Sequence, residues 1–331
     1  MKILITGGSG FIGVNLIYLL LSKNIKDFIN VDKQKPCQDE LIKYWVEANI
    51  LETEKLNEIF ENYNPTHVVH LAARTDTSSN KLADYFDNTE GTKSLLSSIE
   101  RSSSVVNSII TSTQYVYKST DTMLPKTDDH FEPHTAYGIS KKISEEYTRD
   151  SKMRSAWTII RPTNVWGPWQ MRYPNELIKI LDLGLYFHPG SEDPIKSYAY
   201  VKNVSHQIYM ILLSPIKEVD KQVYYVGDYP IHSKEWLNTF SIELTGKKVK
   251  ISPKWILFLA SFLGTCLNKI NIRFPLSILR FQNMIDSYDT PMKKTIDKFG
   301  LSHPDLKSNV TETINWIKNE GKQFFPYWRR K

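Results

Sequence analysis

Short apolar runs alternate with longer amphipathic stretches through the first half of the chain. The runs 2–6, 28–32, 67–71, 105–111 and 156–161 are dense in Ile, Val and other β-formers, and they read as strands. Between them, 11–23, 53–62, 83–101 and 137–150 repeat their apolar positions every three to four residues, as helices do. This alternation predicts an α/β fold with a doubly wound parallel sheet and right-handed crossovers. After Arg161-Pro162 the pattern breaks into short helices, loops and isolated strands at 223–226 and 249–251. The reading is therefore a first domain over 1–162 and a smaller α/β lobe over 163–331. The two are expected to be interwoven, some later segments returning to the first sheet, with a ligand cleft between them. One run, 255–267, is apolar nearly all round. It is too short for the ~20 residues that cross a bilayer. A buried helix is expected there, with peripheral membrane contact or an oligomer interface as the sharper alternative.

The first strand runs directly into Thr6-Gly7-Gly8-Ser9-Gly10-Phe11-Ile12-Gly13. Gly7 permits the tight strand-to-helix turn. Gly10 leaves room for a pyrophosphate against the backbone, and Gly13 lets the helix pack close to the sheet. The amides at the helix start, where Phe11 and Ile12 follow Gly10, and the positive helix end then bind phosphate. Asp32 ends the next strand, about 20 residues on, where a carboxylate accepts from both ribose hydroxyls of NAD and repels a 2′-phosphate. Lys33 beside it leaves NADP open. The fold is therefore read as Rossmann-type, with an NAD-binding site on the first half.

Composition changes little in this picture. The chain is 41% apolar and 24% charged, with a net charge of +6 and a pI near 8.9. That balance suits a small anionic ligand, but Lys and Arg are too scattered for a nucleic-acid surface. The terminal cluster Arg329-Arg330-Lys331 reads as a solvated tail. Cys37 and Cys266 match no metal or redox spacing, so no metal site is expected. Two free thiols and a core strand at the start of the chain give the expectation of a cytoplasmic protein with no leader and no integral membrane segment.

Tyr137-Gly138-Ile139-Ser140-Lys141 carries the chemistry. On a helix, Tyr137 and Lys141 share one face. An ammonium near a phenol is expected to lower its pKa and make it an acid/base near neutrality.

With these residues in place, the chain resembles the extended short-chain dehydrogenases/reductases, and among them the nucleotide-sugar epimerases and dehydratases. The motifs run in order along nearly the whole sequence: the glycine loop, Asp32, His70-Leu71-Ala72-Ala73, Asn88-Thr89-Glu90-Gly91-Thr92, Ser112-Thr113-Gln114-Tyr115-Val116-Tyr117, Tyr137 with Lys141, and Arg161-Pro162-Thr163-Asn164-Val165-Trp166-Gly167-Pro168. The resemblance implies that Leu71, Ala72 and Ala73 pass under the cofactor and that Asn88 supports their strand end. Asn49-Ile50 stands where the family often has Asp beside the adenine. Pro162 and Thr163 would line the nicotinamide pocket, and Lys141 would also bond the nicotinamide ribose. Thr113 would bond the substrate oxygen at the reacting carbon together with Tyr137, and Asn164 would hold the substrate diphosphate.

Two departures from the family narrow the reaction. In its 4,6-dehydratases an Asp-Glu pair follows the Thr113 position and eliminates water; here the residues are Gln114 and Tyr115, so dehydration is disfavoured. Where the family often has Arg-Asp gripping the diphosphate, this chain has Lys196-Ser197, and Lys196 keeps the charge without the bidentate geometry. Arg172, Lys179 and Lys196 are the candidates for that grip. Trp166 and Trp169 either stack on a ligand or pack, with packing ahead.

The expected activity is therefore NAD(P)-dependent oxidation or epimerisation at C4 of a nucleoside-diphosphate sugar through a 4-keto sugar. The alternative is reduction of a 4-keto-6-deoxy sugar nucleotide. A non-catalytic cofactor-binding protein is opposed by the intact Thr113, Tyr137 and Lys141, and a steroid-like substrate by Asn164 and Lys196. The resemblance also implies a homodimer through the helices at 83–101 and 137–150.

Overall fold

A computed structural model describes residues 1–118, 123–190, 193–270, 272 and 274–330; Lys331 of the basic tail lies outside them. The first half folds as strand and helix in turn: β1 (Ile3–Thr6), α1 (Phe11–Ser22), β2 (Phe28–Asp32), β3 (Trp45–Glu47), α2 (Thr53–Tyr63), β4 (His67–His70), α3 (Glu90–Arg101), β5 (Asn107–Thr111), α4 (Ala136–Asp150) and β6 (Ala156–Pro162). A seventh strand, Gln222–Val226, pairs in parallel with β6. The sheet order, from that strand inward, is β6, β5, β4, β1, β2, β3, and every pair in it is parallel.

Alternate residues of the central strands feed two cores. Ile3 and Ile5 of β1 pack with Val14 and Ile17 of α1, and with the helix Val201–Leu213 on that face. Leu4 turns to the other face, against Leu56, Phe60 and Leu95 of α2 and α3. Burial on both faces is why these strands read as unbroken apolar runs. The chain reverses direction across the sheet between β1 and β4, and the glycine loop sits at that switch point, where such sheets bind ligands.

Three expectations change. The helix expected over 83–101 is a 3₁₀ turn at Leu82–Tyr85 followed by α3. The edge strand β3 was not expected; its half-exposed Trp-Val-Glu has no apolar run to mark it. The apolar run 255–267 does form a helix, Lys254–Lys269, but not a buried one. Only Leu257, Ser261 and Gly264 are buried, because its neighbours cover one side alone. There the packing is close enough that a Cβ on Gly264 would lie 2.0 Å from the Leu276 carbonyl oxygen.

Candidate active site

The loop after β1 is shaped by what glycine lacks. Gly7 has φ +74°, and a Cβ there would lie 2.5 Å from the Ala72 backbone nitrogen. A Cβ on Gly13 would lie 2.5 Å from the Gly7 carbonyl oxygen. Gly10 is the N-cap of α1 and has no capping side chain, and no acidic residue stands in the first turn. The amides of Phe11, Ile12 and Gly13 therefore have no intrahelical acceptor and remain for an anion. Asp32, at the end of β2, lies beside this loop: its carboxylate accepts from the Ser9 amide at 3.1 Å and the Gln34 amide at 2.9 Å. Burial raises its pKa above the usual carboxylate value. Lys33, the residue that left a 2′-phosphate open, pairs with Asp87 at 2.6 Å, so its charge is already matched.

The wall of the crevice is built from β4 and α3. Leu71, Ala72 and Ala73 continue β4, with the Leu71 amide donating to the Thr6 carbonyl at 2.9 Å. Asn88 is fully buried and ties three segments together. Its Oδ1 accepts from the Arg74 amide at 2.8 Å. Its Nδ2 donates to the Arg74 carbonyl at 3.0 Å and to Ser140 Oγ on α4 at 2.9 Å. Ile50 is buried against Gly91 at the start of α3, while Asn49 Oδ1 accepts from the Leu51 amide at 3.1 Å and so shapes its own turn. Beneath the crevice, His70 is bonded to Thr6 Oγ1 at 2.7 Å and to Thr92 Oγ1 at 3.0 Å. Burial holds its pKa down at about 3, so the imidazole is neutral.

α4 opens at Thr135, whose hydroxyl caps the Gly138 amide at 3.0 Å, and this fixes Tyr137, buried, in the first turn of the helix. Thr113 stands close enough to the Tyr137 hydroxyl to influence its pKa, and the Tyr137 ring lies 6.1 Å from that of Tyr85 and 6.3 Å from that of Tyr115. Burial pushes the phenol up to about 12, with the Thr113 contact opposing. This reverses the expected lowering by Lys141, whose fully buried ammonium donates instead to the Thr111 carbonyl at 2.7 Å and is itself pushed down to about 8 by burial. Desolvation of the phenol outweighs a cation committed elsewhere.

The residues present fit a dinucleotide: the phosphate cradle and Asp32 lie at one end. At the other, Thr111 Oγ1, Ser112 Oγ, Gln114 Oε1 and Thr163 Oγ1 are buried with no partner among the described residues, beside Pro162 at the end of β6. Such atoms need an acceptor or donor brought in from outside.

On the substrate side, Asn164 Oδ1 accepts from Gln114 Nε2 at 3.1 Å and from the Tyr115 hydroxyl at 3.4 Å. That leaves its NH₂ group for a further acceptor. Arg172 lies near enough to Tyr115 to oppose the rise of its phenol pKa, whereas Lys179 sits over the Tyr327 ring at 5.3 Å. The expectation for Lys196 is corrected. Its ammonium is bound by the carbonyls of Asn283, at 3.0 Å, and Asp286, so it fastens a strand to the end of the helix Ile278–Ile285. Trp166 is buried against Trp236 and Phe240, which makes it a packing residue. A separate concavity of about 730 Å³, lined by Tyr18, Lys202, His303, Glu312 and Trp316 among others, includes Trp169 but none of the candidate catalytic or cofactor residues.

Sequence reasoning missed two supports. Arg161 Nε and Nη2 each bond Glu145 at 2.8 Å, and both side chains have no solvent exposure. Glu145 lies one turn past Lys141 and two past Tyr137, so helical spacing along α4 was the available signal. Tyr288 was the other. Its ring lies 5.5 Å from Tyr115 and its hydroxyl donates to the Tyr117 carbonyl at 2.9 Å, but nothing local in the sequence marks it.

Comparison with known proteins agrees with this geometry. Residues 3–227 match the model of the NAD dependent epimerase/dehydratase family. A GDP-6-deoxy-D-talose 4-dehydrogenase of Aggregatibacter actinomycetemcomitans is 28% identical over 223 residues, 64% of this chain and 70% of that protein. An N-acetyl-alpha-D-glucosaminyl-diphospho-ditrans,octacis-undecaprenol 4-epimerase of Escherichia coli O157:H7 is 29% identical over 210 residues, 61% of this chain and 60% of that protein. dTDP-glucose 4,6-dehydratases are also among the matches. In fold, the chain is similar to a UDP-glucose 4-epimerase of Thermotoga maritima solved with UDP-glucose. The TM-score is 0.72 at 21% identity, covering 97% of this chain and 99% of that one.

Proposed function

The chain belongs to the NAD-dependent epimerase/dehydratase family, and on that premise we propose that it acts at C4 of a diphosphate-linked sugar through a 4-keto sugar, with Tyr137 as the acid/base. The observation that carries this reading is that buried Thr113 stands beside the buried Tyr137 phenol and opposes the rise of its pKa, with Gln114 and Tyr115 where elimination of water would need carboxylates. A bound NAD would supply the hydride acceptor and donor for the sugar carbon. The protein's own residues hold the proton: Thr113 and Tyr137 together meet the C4 oxygen, and Tyr137 takes or gives its proton. Lys141 and Asn88 hold the floor on which that oxygen lies, through Thr111 and Ser140. Asn164, with Arg172 at the outer edge, meets the diphosphate.

The test is to follow nucleoside-diphosphate sugars with the purified protein by NMR. A C4 epimer formed with stoichiometric NAD retained supports the epimerase. Consumption of NADPH with a 4-keto-6-deoxy sugar nucleotide supports the reductase, and a 4-keto-6-deoxy product from a hexose would overturn both in favour of a dehydratase. Asp32→Ala is expected to weaken NAD binding and improve NADP relative to it, because two charge-assisted bonds and the repulsion of a 2′-phosphate are lost together. Titration of both cofactors checks it; an unchanged preference removes Asp32 from the ribose.

A second reading keeps the reaction and changes the carrier, so that the diphosphate ends in a polyprenol instead of a nucleoside. It is favoured by the exposed apolar side of Lys254–Lys269, which packs on Ile278–Ile285, the helix that leads into Tyr288 at the site. The Escherichia coli relative is a precedent for such a substrate. Parallel assays on both classes of substrate separate the two.

A homodimer through the outer sides of α3 and α4 completes the proposal. Leu82 and Phe86, just before α3, and Ile139 on α4 stand exposed, Phe86 at 55%, and a two-fold interface covers such a stripe on both copies. Light scattering is expected to return about twice the 38.5 kDa chain mass; a fully active monomer would refute this.

A further inference from the structure

The strongest unassigned feature is the apolar side of the helix Lys254–Lys269. Trp255, Phe258, Leu259, Phe262 and Leu263 are each between 49% and 64% exposed. The neighbouring helix Ile278–Ile285, joined through Phe258 on Phe281 at 5.8 Å, adds Leu279 at 67%. This is amphipathicity inverted: the small buried stripe faces the protein and the large apolar side faces out. A contiguous exposed apolar surface of this kind marks a contact with something else.

The charge around it says what. From residue 244 to residue 285 the chain has no Asp or Glu, but it has Lys247, Lys248, Lys250, Lys254, Lys269, Arg273 and Arg280. These cations outnumber the whole chain's net charge of +6, so the rest of the protein is slightly acidic. Arg273 lies outside the described residues and enters only as charge; Arg280 is within 3.3 Å of Glu176. A second copy meeting this surface about a two-fold axis would bring each basic segment against its own like. An anionic lipid surface meets both features at once, apolar side chains entering the acyl boundary and cations resting on headgroups. Among the described residues no helix is long and apolar enough to cross a membrane.

We propose that this face docks onto an anionic lipid bilayer, with Lys254–Lys269 lying in the plane of the interface and Trp255 at its edge. The proposal stands whichever carrier the substrate has. Docking would seat the helix pair beside Tyr288 and so place the sugar site next to the membrane.

The test uses the full chain with its cofactor and sedimentation with vesicles of phosphatidylcholine, alone or with phosphatidylglycerol. Wild-type protein is expected to bind the anionic vesicles about tenfold more strongly or better, and to be released by high salt. The double variant Leu259→Glu/Phe262→Glu is expected to lose that binding while keeping its NAD affinity and melting temperature. Wild-type protein that stays in the supernatant with anionic vesicles overturns the proposal. So does a variant that binds as wild type does. A lipid-free oligomer that the same two substitutions dissociate overturns it in favour of self-association through this helix.

Discussion

Tyr137→Phe is expected to fold and bind NAD as the wild type does while turnover falls by roughly 10²–10⁴, the usual worth of a positioned acid/base. The ring lies in a cluster with Tyr85 and Ala136, beside Tyr115, and phenylalanine keeps that shape. What disappears is the hydroxyl that stands beside Thr113. Because burial holds that phenol up at about 12, the ligand-free protein keeps Tyr137 protonated through neutral pH, poised to give a proton to a 4-keto oxygen. The measurement is kcat on whichever substrate the wild type converts, with NAD content and melting as controls. Wild-type turnover in the variant would remove Tyr137 from the proton path. Loss of NAD along with activity would mean that the hydroxyl holds structure instead.

The second large effect is on stability. Arg161→Met is expected to cost about 3–5 kcal/mol, because it leaves the buried Glu145 carboxylate with only the longer 3.4 Å contact to the partly exposed Arg149. The guanidinium makes two 2.8 Å bonds to Glu145, one of 3.2 Å to the Tyr225 hydroxyl and one of 2.6 Å to the Asp128 carbonyl. It thereby links α4 to β6 and to the strand Gln222–Val226. Thermal melting should fall by on the order of 10 °C. Arg161→Met combined with Glu145→Leu should recover much of the loss, since the charge left without its carboxylate is then that of Arg149, which is a quarter exposed to solvent. A single variant as stable as the wild type would show that the pair contributes little.

The frame of this site was legible because its signals are local. β1 to β6, except β3, are apolar runs buried on both faces, and Gly7, Gly10 and Gly13 of the first loop occupy positions where a Cβ meets backbone. Asn88, Thr113 and Tyr137 come from motifs that the fold brings close together around α4. What was misread depended on partners distant in sequence. Lys196 carries charge at the expected position, yet its ammonium is taken by carbonyls about 90 residues further on. Lys141 shares a face with Tyr137, but spacing says nothing of desolvation, and desolvation decides the phenol. For 255–267, composition correctly marked apolar residues; whether they are covered depends on how many neighbours the fold supplies, and here it supplies one side.

The strand Gln222–Val226 sets a timetable for this protein's birth. It completes the sheet beyond β6, yet it is made about 60 residues later, some 3–12 s at ordinary rates of synthesis. Through that interval β6 is an open edge carrying Trp157, Ile159 and Ile160, side chains that end up buried. A nascent chain stalled between these segments is therefore a natural client for chaperones. Slow codons placed just after β6 should lower the soluble yield more than the same codons placed after residue 226.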